Sequence, residues 1–376
     1  MNFVFRQLAR YDWLLMGAVL LLMVIGLVSL FSLSSVGSVP YFRRQLVWVA
    51  VGLLLLFGAS SVDFRIFRTQ SAAVFSFYIV AVTLLAVVLL IGLRVRGIEG
   101  WLRFGNLFLQ PVEPTKLAVI ILLAKFFSKR HIEIYRIRHL VVSGIYVAIP
   151  TLLVLVQPDL GSAIILVSIW IAMIVFSGMR LRHFFLLSFI ALLVMGVGWR
   201  MVLEPYQKAR ITAFINPYAD PKGGGYQMIQ AMIAVGSGQM WGKGIGYGSQ
   251  SHLNFLPEAE TDFIFAAFAE EWGFIGTLTL ILLFILMLWR IIYIGQKSAD
   301  NFSRLYTLGF AAFIFVQSFI HIAMNMGLMP ITGITLPFVS YGGSSLVTLL
   351  VGIGILQSIK VNARRDIELY GKEYTT

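Results

Sequence analysis

The sequence predicts an all-α, polytopic membrane protein with about ten transmembrane helices, and three observations point to it. Of its 376 residues, 59% are hydrophobic and only 12% charged, with a mean hydropathy of +0.87, whereas soluble domains carry about 25% charged residues. Apolar runs approaching the roughly 20 residues that a bilayer crossing requires recur along the whole chain. The segments between those runs hold most of the Lys, Arg and Pro. No internal repeat or soluble second domain interrupts this pattern, so 1–376 reads as one membrane domain. Cysteine is absent, which removes disulfides, thiolate metal sites and a cysteine nucleophile from consideration.

Arg6 and Arg10 precede the first apolar run, 12–31, which is too long for a signal-peptide core and lacks a small-residue cleavage site. It reads as a retained helix. Further runs lie near 45–62, 71–93, 113–128, 140–157, 160–178, 184–202, 263–290, 304–326 and 339–359. An even count puts both termini on one side. With the termini inside, 18 of the 29 Lys and Arg residues are inside as well, so the positive-inside rule makes both termini cytoplasmic. The net charge of +12 is dispersed through these loops, a distribution that serves membrane topology and membrane lipids and argues against nucleic acid.

On the outer side, 203–262 is the one long stretch that does not span. Its Pro and Gly punctuation is mixed with Trp, Tyr, Phe and Met, enough apolar surface to pack, so an ordered extracytoplasmic loop is expected. Within it YQMIQAMIAVG is helix-capable but too short to span. WGKGIGYG lacks the G-x-x-x-x-G-K-[ST] phosphate loop, no G-x-S-x-G nucleophile motif occurs, and the five His residues show no zinc-ligand spacing.

Four outer-side features remain. In QPVEPTKLAV, Glu113 and Lys116 stand three apart at a helix start and share a face; a local ion pair in a first turn describes them equally well. In VQPDLGSA, Asp159 sits at a turn between two runs, where a helix N-cap is the plain alternative. In RITAFINPYADPKGGGYQ, Arg210 and Lys222 flank turn-forming residues. In FLPEAETDF, Glu258, Glu260 and Asp262 fall within five residues just ahead of an apolar run. Capping explains one of those acids, not three, and carboxylates at the mouth of a membrane segment are costly unless used.

Together the stretches NPYADPKGGGYQ, GSGQMWGKGIG, FLPEAETDFIFAAFAEEWG and LMPITGITLPFVSYGGSS resemble, in order and spacing, the SEDS family of bacterial cell-wall proteins (shape, elongation, division and sporulation). The resemblance covers essentially the whole chain, and YGSQSHLNFLPE is closer to the family's elongation member than to its division member. It implies a peptidoglycan glycosyltransferase that polymerises lipid II by inverting transfer on the outer face of the cytoplasmic membrane. It further implies that Asp262 is the essential aspartate and that Glu113, Lys116 and Asp159 line a central cavity. A class B penicillin-binding protein and the elongation machinery are the implied partners. Two departures stand out: Gly100 where the family usually has Arg before Trp101, leaving Arg103 as the cation beside it, and Val112 where the family usually has Ser.

The chemistry suits these residues. A sugar hydroxyl must attack an anomeric carbon and expel a lipid pyrophosphate, which requires one positioned carboxylate as general base, here Asp262. The leaving group calls for positive charge rather than a second acid, and Lys116, Arg210 and Lys243 are on the correct side to bind substrate. The resemblance also implies that a divalent cation such as magnesium or manganese would serve the same end, with Asp262 either the base or a ligand to it and the other ligands not fixed by the sequence; no nucleotide cofactor is expected. The rival reading is a lipid II flippase, since membrane-embedded charges also mark transport paths. A flippase, however, needs a polar route through the midplane.

Overall fold

The computed structural model describes residues 9–34, 41–95, 98–104, 107–129, 137–180, 182–187, four isolated positions between 189 and 200, 205–219 and 224–373. Among the described residues, seven helices are long and apolar enough to cross a membrane. They are α1 (Trp13–Ser34), α2 (Tyr41–Ser61), α4 (Ser71–Ile91), α6 (Ile137–Val156), α11 (Ile264–Gln296), α12 (Asn301–Asn325) and α13 (Gly343–Glu373), the last through its first 20 residues. Two 17-residue helices complete the bundle: α7 (Leu160–Phe176) and α5 (Val112–Ser128), which carries Glu113, Lys116 and Lys125. A short α3 (Arg65–Thr69) joins α2 to α4. Most of the run expected at 184–202 lies outside the described residues.

The all-α expectation needs one correction. Between α4 and α5 the chain forms a three-stranded antiparallel sheet of β1 (Leu93–Val95), β2 (Ile98–Phe104) and β3 (Leu107–Leu109), with Arg103 opposite Phe108. Tertiary placement lies behind it: Gln110 N–H at the sheet's exit donates to Ser344 Oγ at the start of α13.

Burial sorts the helices into centre and rim. Nearly all of α5 is buried, as is 83% of the α13 span, against 22% of α2. In a membrane the exposed apolar faces of the rim helices meet lipid, so van der Waals packing, closest where small residues let helices approach, holds the centre together. α12 packs against α5, α7 and α11, and α13 against α2. Gly309 of α12 lies against Ile120 and Met173, and a Cβ on Gly354 of α13 would stand 2.5 Å from Leu56 O.

The long loop is built on α11. Its described residues fold into α8 (Pro205–Ile215), a 3₁₀ turn (Pro217–Ala219), α9 (Gly224–Ser237) and α10 (Ser249–His252). The expected helix at YQMIQAMIAVG is therefore present, as part of α9, while Lys222 lies outside the described residues. Met228, Ala231 and Ala234 of α9 form a small core with Leu256, Phe263, Ala266 and Ile331.

α11 breaks at Gly273, whose φ of 66° and ψ of −163° only glycine adopts readily. The hydrogen bonds lost at the break pass to the loop. Phe274 N–H donates to Gln239 O at 2.8 Å, and Lys243 and Gly244 N–H donate to Glu270 and Glu271 carbonyls, each at 3.0 Å. Non-helical backbone inside a membrane segment survives only with such partners.

Candidate active site

Contacts between loops show that the outer features predicted from sequence gather at one end of the bundle. Tyr341 N–H donates to Glu260 O, Ser340 Oγ to Thr261 O and Gln157 Nε2 to Leu85 O. At the opposite end Asp12 meets Arg290 and Lys360, and Lys125 Nζ donates to Arg68 O.

The first cluster at the site end is Glu113, Lys116 and Asp159. Pro111 and Pro114 bracket the first turn of α5, which presents Glu113 and Lys116 three residues apart on one face. Lys116 Nζ donates to Glu113 Oε1 at 2.8 Å and lies 5.3 Å from the Phe313 ring centroid. Their side chains are 1% and 6% exposed, and Glu113 Oε2 has no hydrogen-bond partner among the described residues. Asp159 is the N-cap of α7, accepting from Ser162 N–H at 2.9 Å, and lies buried near the Glu113 and Lys116 charges. Burial pushes its carboxyl up from the usual range, opposed by the Ser162 donors and the Lys116 charge.

Asp262 and Arg210 form the second cluster. The turn into α11 is made by Glu258, at a φ of 53°, whose carbonyl accepts from the N–H groups of Thr261, Asp262 and Phe263. This turn sets the half-buried Asp262 immediately before the helix. Its Oδ2 lies 3.6 Å, and Arg210 Nη1 3.9 Å, from the point a Cβ on Gly333 would occupy. Gly333 has a φ of +73°, a left-handed conformation that favours glycine. Arg210 Nη1 also donates to Ile331 O at 3.4 Å. Glu258 and Glu260 line a shallow cavity beside this turn with Ser251, Asn254 and Pro257.

One loop joins the two clusters. Residues 331–334 abut Asp262 and Arg210 at Gly333, and at Thr332 and Ile334 they pack on Gly161, two residues beyond Asp159. From α12, Gln317 Nε2 donates to Thr335 O at 2.9 Å, His321 Nδ1 to Ile334 O at 2.8 Å, and Asn325 Nδ2 to Asp262 O at 3.0 Å. The sequence reading passed over these three, although polar residues four apart in an apolar helix are a legible signal.

Lys243 belongs to a third cluster. Its ammonium donates to Glu270 Oε1 and to Ser249 Oγ, each at 2.8 Å. Glu270 also accepts from Gln250 N–H and Ser251 N–H, and Glu271 from Ser32 Oγ, His252 Nε2 and Gly246 N–H. These two buried acids, which the sequence reading also missed, tie the loop to α11 about two turns beyond Asp262.

Among the described residues no three His, Asp or Glu gather around a point. The donor set therefore does not form an all-protein cage.

These features define a class: a multi-pass helical membrane protein with acid and base side chains gathered at one end of its bundle. A family profile described as "Cell cycle protein", covering FtsW, RodA and SpoVE, matches residues 12–365. The chain belongs to that family, the SEDS family that its motifs resemble. It is 38% identical to Stage V sporulation protein E of Bacillus subtilis, over 94% of this chain and 98% of that protein. It is 34% identical to peptidoglycan glycosyltransferase MrdB of Escherichia coli K12, over 86% of each. A chain of the solved structure "Structural coordination of polymerization and crosslinking by a peptidoglycan synthase complex" aligns with a TM-score of 0.80 at 32% identity, over 95% of this chain and 99% of that one. The rod shape determining protein RodA of Thermus thermophilus aligns with a TM-score of 0.68 at 28% identity, over 93% and 96%.

Proposed function

We propose that this protein is a peptidoglycan glycosyltransferase that polymerises lipid II on the outer face of the cytoplasmic membrane during cell elongation. The observation that carries the reading is the approach of Asp262 and Arg210 to one point at Gly333, on a loop that also packs beside Asp159. Asp262 accepts the proton of the attacking sugar hydroxyl, while Arg210 supplies positive charge for the departing pyrophosphate. The buried Lys116 adds positive potential to the same end of the bundle, and Lys243 acts by holding the loop in place. A divalent cation at the pyrophosphate would supply further charge neutralisation for the leaving group. The polyprenyl tail remains in the bilayer while the sugars reach the loop.

Ten crossings, with both termini cytoplasmic, follow if α5, α7 and the segment 184–202 are added to the seven long apolar helices. The relatives named as glycosyltransferases support the activity, and the similar synthase-complex chain supports a penicillin-binding partner. Against the flippase reading stands α5 itself: between Lys116 and Lys125 every residue from 117 to 124 is apolar and buried, which argues against a polar path along the most central helix.

The test is incubation of the purified protein, alone and with a transpeptidase partner, with labelled lipid II and magnesium or manganese, beside an Asp262→Ala control. Glycan chains from the parent and none from the variant support the reading. Absence of polymer from folded protein, with lipid II changing sides in vesicles, would replace it with the flippase.

A further inference from the structure

The start of α11 is capped from another helix. Phe263, at the N-cap position, offers no side-chain cap, yet the first turn has N–H groups that need acceptors. Asn325, 59 residues away at the end of α12, provides one: its Oδ1 accepts from Ala266 N–H at 3.2 Å. The same amide's Nδ2 donates to Asp262 O at 3.0 Å and to His321 O at 2.8 Å. Asn325 is fully buried. Turning its amide over would set N–H against N–H and oxygen against two carbonyls, so these three bonds fix its orientation.

Gln317 and His321 stand eight and four residues earlier on the same stripe of α12. They hold Thr335 O and Ile334 O, next to Gly333 and therefore to the place where Asp262 and Arg210 approach. One stripe thus fixes both the backbone that carries the Asp262 carboxylate and the loop that faces it. We infer that Asn325 is the positioning residue for Asp262, with Gln317 and His321 setting the opposing loop. The inference rests on the proposed role of Asp262 and deepens it.

Two substitutions remove the Nδ2 donors that hold Asp262 O and His321 O. Asn325→Ala loses all three bonds, whereas Asn325→Asp keeps an acceptor for Ala266 N–H and loses both donors. The assays are steady-state lipid II polymerisation and amide hydrogen exchange of the 262–268 segment. The control is Phe302→Leu, a destabilising change at the far end of α12. Both Asn325 variants are expected to lower kcat by roughly ten- to a hundredfold with KM within about twofold, the scale of a small misplacement of a reacting group. Phe302→Leu is expected to retain kcat. Exchange of the 262–268 amides should quicken about fivefold or more in Asn325→Ala.

Parental kcat in either Asn325 variant, with Asp262→Asn inactive, would overturn the inference and leave the Asp262 reading intact. If Asp262→Asn itself polymerises normally, or the parent does not polymerise, the reading beneath it falls. Exchange then decides: unchanged protection of 262–268 in Asn325→Ala would also overturn the positioning bond.

Discussion

Removing Lys116 alone should do far more damage to the fold than removing Lys116 and the Glu113 charge together. At the 2.8 Å separation of Lys116 Nζ and Glu113 Oε1, an effective dielectric near 20 gives an attraction of about 6 kcal/mol. Desolvating two ions costs several kcal/mol each, so the pair is close to neutral for stability. In Lys116→Met the desolvation cost of Glu113 stays while the attraction vanishes. Among the described residues Glu113 Oε2 has no hydrogen-bond partner. The expected loss is about 3–5 kcal/mol. The double variant Glu113→Gln, Lys116→Met should recover most of that, because no charge is left stranded. Retention of native fold against temperature or chaotrope, measured in the same detergent for parent, single and double, reads this directly. Polymerisation should remain low in the double, since positive charge near the site is still gone. A single-variant loss under about 1 kcal/mol would refute the reasoning, as would a double no more stable than the single; either would mean that water or lipid headgroup already solvates Glu113.

Three further outcomes follow from particular contacts. Gly333→Ala forces a side chain into a φ of +73° and into the gap between Asp262 and Arg210; it should cost about 1–2 kcal/mol and lower turnover more than lipid II binding, and parental turnover would contradict that placement. Lys243→Met strands the fully buried Glu270, though four backbone and hydroxyl donors remain, so about 1–3 kcal/mol of loop stability should be lost and protease cleavage within 239–252 should quicken; an unchanged cleavage rate would contradict the tie. At the opposite end, burial pushes the Asp12 carboxyl up, but the Arg290 and Leu15 hydrogen bonds and the Arg290 and Lys360 charges outweigh it and hold it below the usual 3.8. A lowered folded-state value stabilises above the unfolded value and is lost as pH falls through the folded one. The parent should therefore lose more stability below about pH 4 than Asp12→Asn, and parallel pH curves would contradict the ion pair.

Local pattern and tertiary context divide the sequence cleanly. The apolar runs show α1, α4, α11 and α12 within a few residues, because length and hydropathy are set by the bilayer and need no knowledge of neighbours. Glu113 and Lys116 could be paired from spacing, and Asp159 recognised as a cap, because those interactions lie within a single helical turn. What stayed hidden depends on contacts distant in sequence. Gly273 in AEEWGFIG looks like a glycine tolerated in a continuous helix, and only the 239–244 loop beside it makes a break affordable. The pairing of Lys243 with Glu270 spans 27 residues, beyond what spacing declares. The short strands at 93–109 carry too few residues for their alternation to declare itself. The Asn325 cap belongs to a turn in another helix.

The most direct measurement compares lipid II binding with polymerisation in Asp262→Asn, an isosteric change that removes the charge and leaves the Glu258 turn and the Asn325 bonds in place. A carboxylate acting only on the reacting hydroxyl predicts parental lipid II affinity with polymer formation lowered at least about a hundredfold. Equal loss of binding and turnover would make Asp262 a substrate anchor, and parental polymerisation would show that the base lies elsewhere.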